Sequence, residues 1–243
     1  MENWNSHNCF QIRNTEKKVK STRYSLLLFY IFSGILVGLL FINASIRQIR
    51  KVHTTPEMFK IIFYGDSITE TASWKNGFIE YVNQQNVRKA DIVNRGFSGY
   101  TSRELKLYLA PITYGIYADL SFLMIGTNDA RISSDTRKCT VDEYVANVNF
   151  LVDKLDQHSK DLYLVTPPPT FDNIEHEIEH TILYRNALIL IGSKRDIPVI
   201  DNWEFITFED LKDGIHLNDK GNLKMAIAFQ KVIDHYNLKR FLP

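Results

Sequence analysis

Short apolar runs alternating with longer amphipathic ones constrain this chain more than any other feature of it. The short runs are Phe59 to Tyr64, Asp91 to Val93, Leu120 to Ile125, Leu162 to Val165 and Pro198 to Ile200. Strands of that length separated by helical stretches build a parallel sheet covered by helices. The clearest helix is Val141 to Leu155, where Val141, Tyr144, Val145, Val148, Val152 and Leu155 share one stripe. Thr140 and Glu143 have capping-box spacing at its start, and Thr101 and Glu104 repeat it ahead of Leu105 and Leu109. After Asn218 a last helix puts Met225, Phe229, Val232 and Ile233 on one face, which closes the core.

The segments at the strand exits carry the chemistry. The first four runs lead into Gly65-Asp66-Ser67-Ile68-Thr69, Asn94 to Gly99, Gly126-Thr127-Asn128-Asp129 and Thr166-Pro167-Pro168-Pro169. In an open parallel sheet the C-terminal strand ends face one crevice, so residues remote in sequence converge there. A strand that stops at Gly, Asp and Ser delivers a hydroxyl to the sheet rim, where a helix begins and backbone N–H groups lie free. An ordinary turn capped by Asp66 or Ser67 has the same letters, so the pentapeptide is read by its company. Asp66 itself is read as shaping the turn.

A nucleophilic serine needs a base, and the base an orienting carboxylate. Asp213-Gly214-Ile215-His216 offers both: a three-residue separation can hold the carboxylate against imidazole Nδ1–H while Nε2 faces the serine. Acyl transfer also needs donors aimed at a developing oxyanion. The backbone N–H groups of Ser67 and Gly99 and the side-chain amide of Asn128 can serve. Trp74, Phe97, Tyr100 and Ile215 are candidate pocket neighbours.

These four blocks resemble the SGNH, or GDSL, hydrolase family in content and order, across nearly all of residues 59 to 235. Arg95 to Ser102 and Asp213 to Leu217 look most like its isoamyl acetate-hydrolysing esterase branch. The resemblance implies a flavodoxin-like three-layer α/β/α fold with a parallel sheet of about five strands. It implies Ser67 as nucleophile, His216 as general base and then acid, Asp213 as its orienter, and an oxyanion set of Ser67, Gly99 and Asn128, with no metal or cofactor. The expected activity is hydrolysis of carboxylic esters, of short-chain acyl or acetyl type, with lipid or glycan esters also within the family's range. Transfer of the acyl or acetyl group to a hydroxyl acceptor uses the same acyl-enzyme and stays open beside hydrolysis. So does a non-catalytic ligand-binding module.

His176-Glu177-Ile178-Glu179-His180 matches H-E-x-x-H, the spacing of a zinc hydrolase, with Glu177 as the water-activating base. The extension that supplies a third ligand in one such class is missing, and the alternative is a charged, solvated helix start. Cys9 and Cys139 are the two cysteines, too few for a disulfide framework or a cysteine-built metal site.

From Tyr24 to Ile46 there is no charged residue, and the segment is apolar on every face. As a helix these 23 residues reach about 35 Å, enough for a hydrocarbon core of about 30 Å. The expected layout is a basic tail over 1–23, a transmembrane signal-anchor over 24–46, a linker over 47–57 and the hydrolase domain over 58–243. Five basic residues from Arg13 to Arg23 precede the span and Arg47, Arg50 and Lys51 follow it. That bias favours a single-pass protein with a cytoplasmic N-terminus and a lumenal or extracellular catalytic domain, secreted if the segment is cleaved. Gly34 and Gly38 form a G-x-x-x-G pair, a weak signal for dimerisation; oligomeric state is otherwise unread. Residues 1–53 hold eight Lys or Arg against two Glu, so the remainder carries −5 within an overall charge of +1. A mildly acidic body without basic clusters argues against nucleic-acid binding.

Overall fold

The computed structural model describes residues 58–87, 89–132, 138–171 and 176–241. Strands β1 (Phe59–Gly65), β2 (Ala90–Gly96), β3 (Ala118–Met124), β4 (Ser159–Val165) and β5 (Val199–Ile200) pair in the order β2-β1-β3-β4-β5. Every pairing is parallel. Between and after the strands come α1 (Ser67–Thr71), α2 (Phe78–Gln85), α3 (Ser102–Leu107), α4 (Leu109–Thr113), α5 (Val141–Asp156), α6 (Ile178–Arg195) and α7 (Asp219–Phe241). Two 3₁₀ turns, Asn202–Glu204 and Phe208–Asp210, link β5 to the loop before α7.

Strand β1 is central because both its faces are apolar, as a sheet covered on two sides requires. Ile61 and Phe63 pack on one face with Phe78 and Val82 of α2 and Met225, Phe229 and Ile233 of α7. The rings of Phe63, Phe122 and Phe229 interlock there, with centroids 4.8 to 5.0 Å apart. Ile62 and Tyr64 point the other way, into a second core with Leu105 of α3, Tyr144 and Val148 of α5 and Leu188 of α6. Two cores on opposite faces of one parallel sheet make the three-layer α/β/α architecture that the alternating pattern implied.

The expected elements are present with shifted ends. Strand β2 runs on to Gly96 because Asn94 is accommodated in it: its amide donates to Thr69 O at 2.7 Å and Glu70 O at 3.1 Å, and its Oδ1 accepts from Gly96 N. Strand β3 begins at Ala118, whose N–H bonds His158 O, and stops at Met124 rather than Ile125. Pro198 stands outside β5; lacking an N–H, it contributes only its carbonyl, which accepts from Leu164 N. Thr101 and Glu104 form the full capping box of α3. At α5 only half forms: Thr140 accepts from Glu143 N, while the Glu143 carboxylate is held by Arg103 of α3.

The expected tail, membrane span and linker at residues 1–57 lie outside the described residues. Among the described residues no helix is long and apolar enough to cross a membrane.

Candidate active site

The strand order reverses between β1 and β3, and a crevice opens at their C-terminal ends at such a switch point. Ser67 stands there as the first residue of α1. Asp66 caps this helix, its Oδ1 accepting from Ile68 N at 3.0 Å, and is fully buried. Burial pushes its carboxyl up to about 6 against the opposing Ile68 N–H. The Ser67 N–H belongs to the first turn, which has no intrahelical acceptor.

Strand β2 presses directly on α1. A Cβ on Gly96 would lie 2.2 Å from Glu70 N, so only glycine lets the two backbones meet. Just beyond, Phe97 N donates to Gly65 O, Ser98 N donates to Glu70 Oε2, and Gly99 takes φ +76° in the turn closed by Tyr100 N and Phe97 O. After β3, Asn128 is nearly buried and its Nδ2 donates to Tyr100 O at 2.9 Å. Hydrogen bonds therefore stitch the exits of β1, β2 and β3 together, with one N–H of the Asn128 amide left over. Asp129, next in the chain, accepts from Ser102 N with both oxygens and from Ser102 Oγ at 2.5 Å. Burial pushes the Asp129 carboxyl up to about 6 as well.

The fourth block arrives from the far end of the chain. Residues 211–217 form a loop pinched by an antiparallel bridge between Leu211 and Leu217, with Lys212 N donating to His216 O and Phe171 N to Gly214 O. Asp213 Oδ1 accepts from Ile215 N at 3.0 Å and His216 N at 2.7 Å, and its Oδ2 lies 2.8 Å from His216 Nδ1. Partial burial pushes the Asp213 carboxyl up, but these donations overcome it and hold the group below its ordinary value. The carboxylate fixes the ring proton on Nδ1, leaving Nε2 as an acceptor. Nε2 lies 3.0 Å from Ser67 Oγ, across 149 residues of sequence. A hydroxyl, an imidazole and a carboxylate in that order can remove a proton from the serine and stabilise the imidazolium that results.

The H-E-x-x-H residues depart from the zinc arrangement. Helix α6 begins at Ile178, so His176 precedes it and the two histidines do not share a helical face. His176 is buried rather than solvated, and its Nε2 lies 2.9 Å from Thr127 O, while His180 Nδ1 lies 2.8 Å from Ala130 O. Both therefore act on the backbone around Asn128, a role the sequence hid because a backbone acceptor leaves no mark in the residue letters. Cys139 is buried, and burial pushes its thiol up to about 11, away from reactivity.

Of the candidate pocket neighbours, Phe97 and Tyr100 stack with centroids 5.0 Å apart. Trp74 is exposed and lines a cavity of about 630 Å³ with Thr71, Lys212, Leu217 and Asn218. Neither Ser67 nor His216 lines that cavity. Ile215 is half-buried on the pinched loop.

Comparison with known proteins places the chain in a family. The chain is 29% identical over 189 residues to the isoamyl acetate-hydrolyzing esterase 1 homolog of Homo sapiens, covering 67% of this chain and 76% of that one. It is 30% identical over 206 residues to a GDSL esterase/lipase of Arabidopsis thaliana, covering 71% and 83%. The crystal structure of an acetyl xylan esterase, AlAXEase, superposes with a TM-score of 0.65 over 72% of this chain and 99% of that one, at 20% identity, a likeness of fold. Residues 63–224 match the GDSL-like Lipase/Acylhydrolase family model, from the last residues of β1 into α7. With four ordered blocks joined by hydrogen bonds and two thirds of its length matched, the chain belongs to the GDSL-like lipase/acylhydrolase family of carboxylic ester hydrolases.

Proposed function

We propose that the protein is a serine esterase acting through an acyl-enzyme on Ser67. The observation that carries this reading is the relay Ser67 Oγ, His216 Nε2, His216 Nδ1, Asp213 Oδ2, with links of 3.0 and 2.8 Å. Ser67 Oγ attacks the ester carbonyl carbon as its proton passes to His216 Nε2. The carbonyl oxygen becomes an oxyanion, received by the N–H groups of Ser67 and Gly99 and the remaining N–H of Asn128. Collapse of the tetrahedral intermediate breaks the C–O bond to the alcohol, which takes the proton from His216 and leaves. Water then gives its proton to His216, attacks the acyl carbon, and the acid departs as Ser67 recovers its proton. Asp213 stays ionised throughout and holds the ring in its tautomer.

Short-chain acyl or acetyl esters are the substrate class. Support comes from the names of the human relative and of the acetyl xylan esterase that shares the fold. Ser67→Ala should lower kcat on 4-nitrophenyl acetate by more than about 10³-fold. Full activity in that variant would remove the mechanism. Product analysis with an added alcohol separates release of free acid from transfer to the acceptor, since both consume the same acyl-enzyme.

For residues 24–46 the reading is a single-pass anchor, supported by an uncharged stretch long enough to span a bilayer and by basic flanks heavier on the N-terminal side.

A further inference from the structure

We infer that His176 and His180 are positioning residues that clamp the turn carrying Asn128, so that H-E-x-x-H in this chain aims an oxyanion donor. The inference rests on Asn128 as such a donor.

The turn after β3 is short and its middle residues are heavily committed. Gly126 sits at φ +133°, where other residues are strained, and Ala130 N closes the turn onto Gly126 O at 3.1 Å. Inside it Asn128 gives one N–H to Tyr100 O and Asp129 accepts from Ser102, which fixes both side chains. Side-chain anchors alone leave the peptide planes of the turn free to rock, and rocking moves the second amide N–H of Asn128. The carbonyls of Thr127 and Ala130 bracket that motion. Each meets a histidine nitrogen, His176 Nε2 from just before α6 at 2.9 Å and His180 Nδ1 from its first turn at 2.8 Å.

The i, i+4 spacing has a geometric reason. His176 lies before the first turn of α6 and His180 within it, with His180 N donating to Glu177 O, so the two rings reach acceptors three residues apart in the turn. The bonds require the proton on opposite nitrogens, Nε2 in His176 and Nδ1 in His180. His180 is further fixed by its edge-on contact with Tyr184, centroids 5.5 Å apart, and Tyr184 OH donates to Cys139 O. The turn is thus referenced to α6, a long element packed into the second core, rather than to the loops around it.

Asparagine reproduces the Nδ1 donor and glutamine the Nε2 donor, which gives the test. In the full-length chain, with 4-nitrophenyl acetate as substrate, His180→Ala should lower kcat about 5- to 30-fold with KM changed less than about twofold, a fraction of the 10²- to 10³-fold loss typical of deleting an oxyanion donor outright. His180→Asn should stay within about threefold of wild type. The residue acts through Asn128, so in an Asn128→Ala background the same His180→Ala change should cost less than about twofold more. An equal loss with and without Asn128, or none in either, overturns the inference. Because a buried ring invites misfolding when truncated, His176 is compared as His176→Gln against His176→Asn, each checked by circular dichroism melting. Glutamine should retain kcat and asparagine lose about tenfold; equality of the two overturns the inference. Wild-type activity in Asn128→Ala alone would remove the oxyanion role of Asn128 and this inference with it. A large loss there with additive histidine effects removes only the clamp.

Discussion

Asp66 caps the helix that carries Ser67, and its fully buried carboxyl has a direct consequence for stability. With its folded value raised to about 6, the folded state binds a proton more tightly than the unfolded chain. The stability this adds is present below the ordinary carboxylate value and is lost as pH rises from about 4 through about 6. Asp129 acts with the same sign. Asp66→Asn keeps an oxygen for Ile68 N and removes the titration. Its melting temperature relative to wild type should therefore be several degrees higher at pH 7.5 than at pH 4, for a linked free energy of up to about 3 kcal/mol. A difference that does not vary with pH would mean that the fold does not raise the Asp66 carboxyl. At this scale the meeting of Ser67, His216 and Asp213 was legible because it follows from residue type and spacing. The partners of His176 and His180 were not, since carbonyls of Thr127 and Ala130 belong to every residue alike. H-E-x-x-H read as a zinc spacing or a solvated helix start, and neither reading carries information on the backbone carbonyls that the rings face.

Among the elements, α1 is the shortest that matters, and its place depends on β2. Gly96 allows contact with the Glu70 backbone, Asn94 ties down the carbonyls of Thr69 and Glu70, and Glu70 in turn holds Ser98 N. Gly96→Ala forces a methyl group 2.2 Å from a backbone nitrogen, which no rotamer change relieves. Destabilisation of roughly 1 to 3 kcal/mol is expected, with a melting temperature lowered by about 3 °C or more in thermal unfolding. A variant that melts within about 1 °C of wild type would show that α1 slides without loss. Elements with strong periodicity were legible in outline, as in α5 and β1. Ends were less so where a tertiary partner intervened: Arg103 captures the Glu143 carboxylate that a local capping box would have used. Asn94 reads as the end of a strand until its amide is seen to bond the neighbouring helix.

For the whole molecule, the order β2-β1-β3-β4-β5 decides where chemistry is possible, because it places the exits of β1 and β3 side by side at the reversal. Alternation of runs announced a parallel sheet, and the resemblance supplied the flavodoxin-like order, which local sequence does not encode. The proposed anchor belongs to this scale too. The full-length chain should remain in the membrane pellet after alkaline carbonate extraction, and a chain beginning at residue 58 should move to the supernatant. Recovery of the full chain in the supernatant would remove the anchor.

The pinched loop of residues 211–217 has a consequence for how activity can be tuned. Asp213 and His216 are bound to each other and to their own backbone within four residues, and the loop is closed at its base by Leu211 and Leu217. Asp213 and His216 are therefore held as a unit: a shift of the loop as a whole moves both relative to Ser67 while their own hydrogen bonds are kept. A contact that shifts this loop would therefore act on the approach of His216 to Ser67 rather than on the pairing of His216 with Asp213.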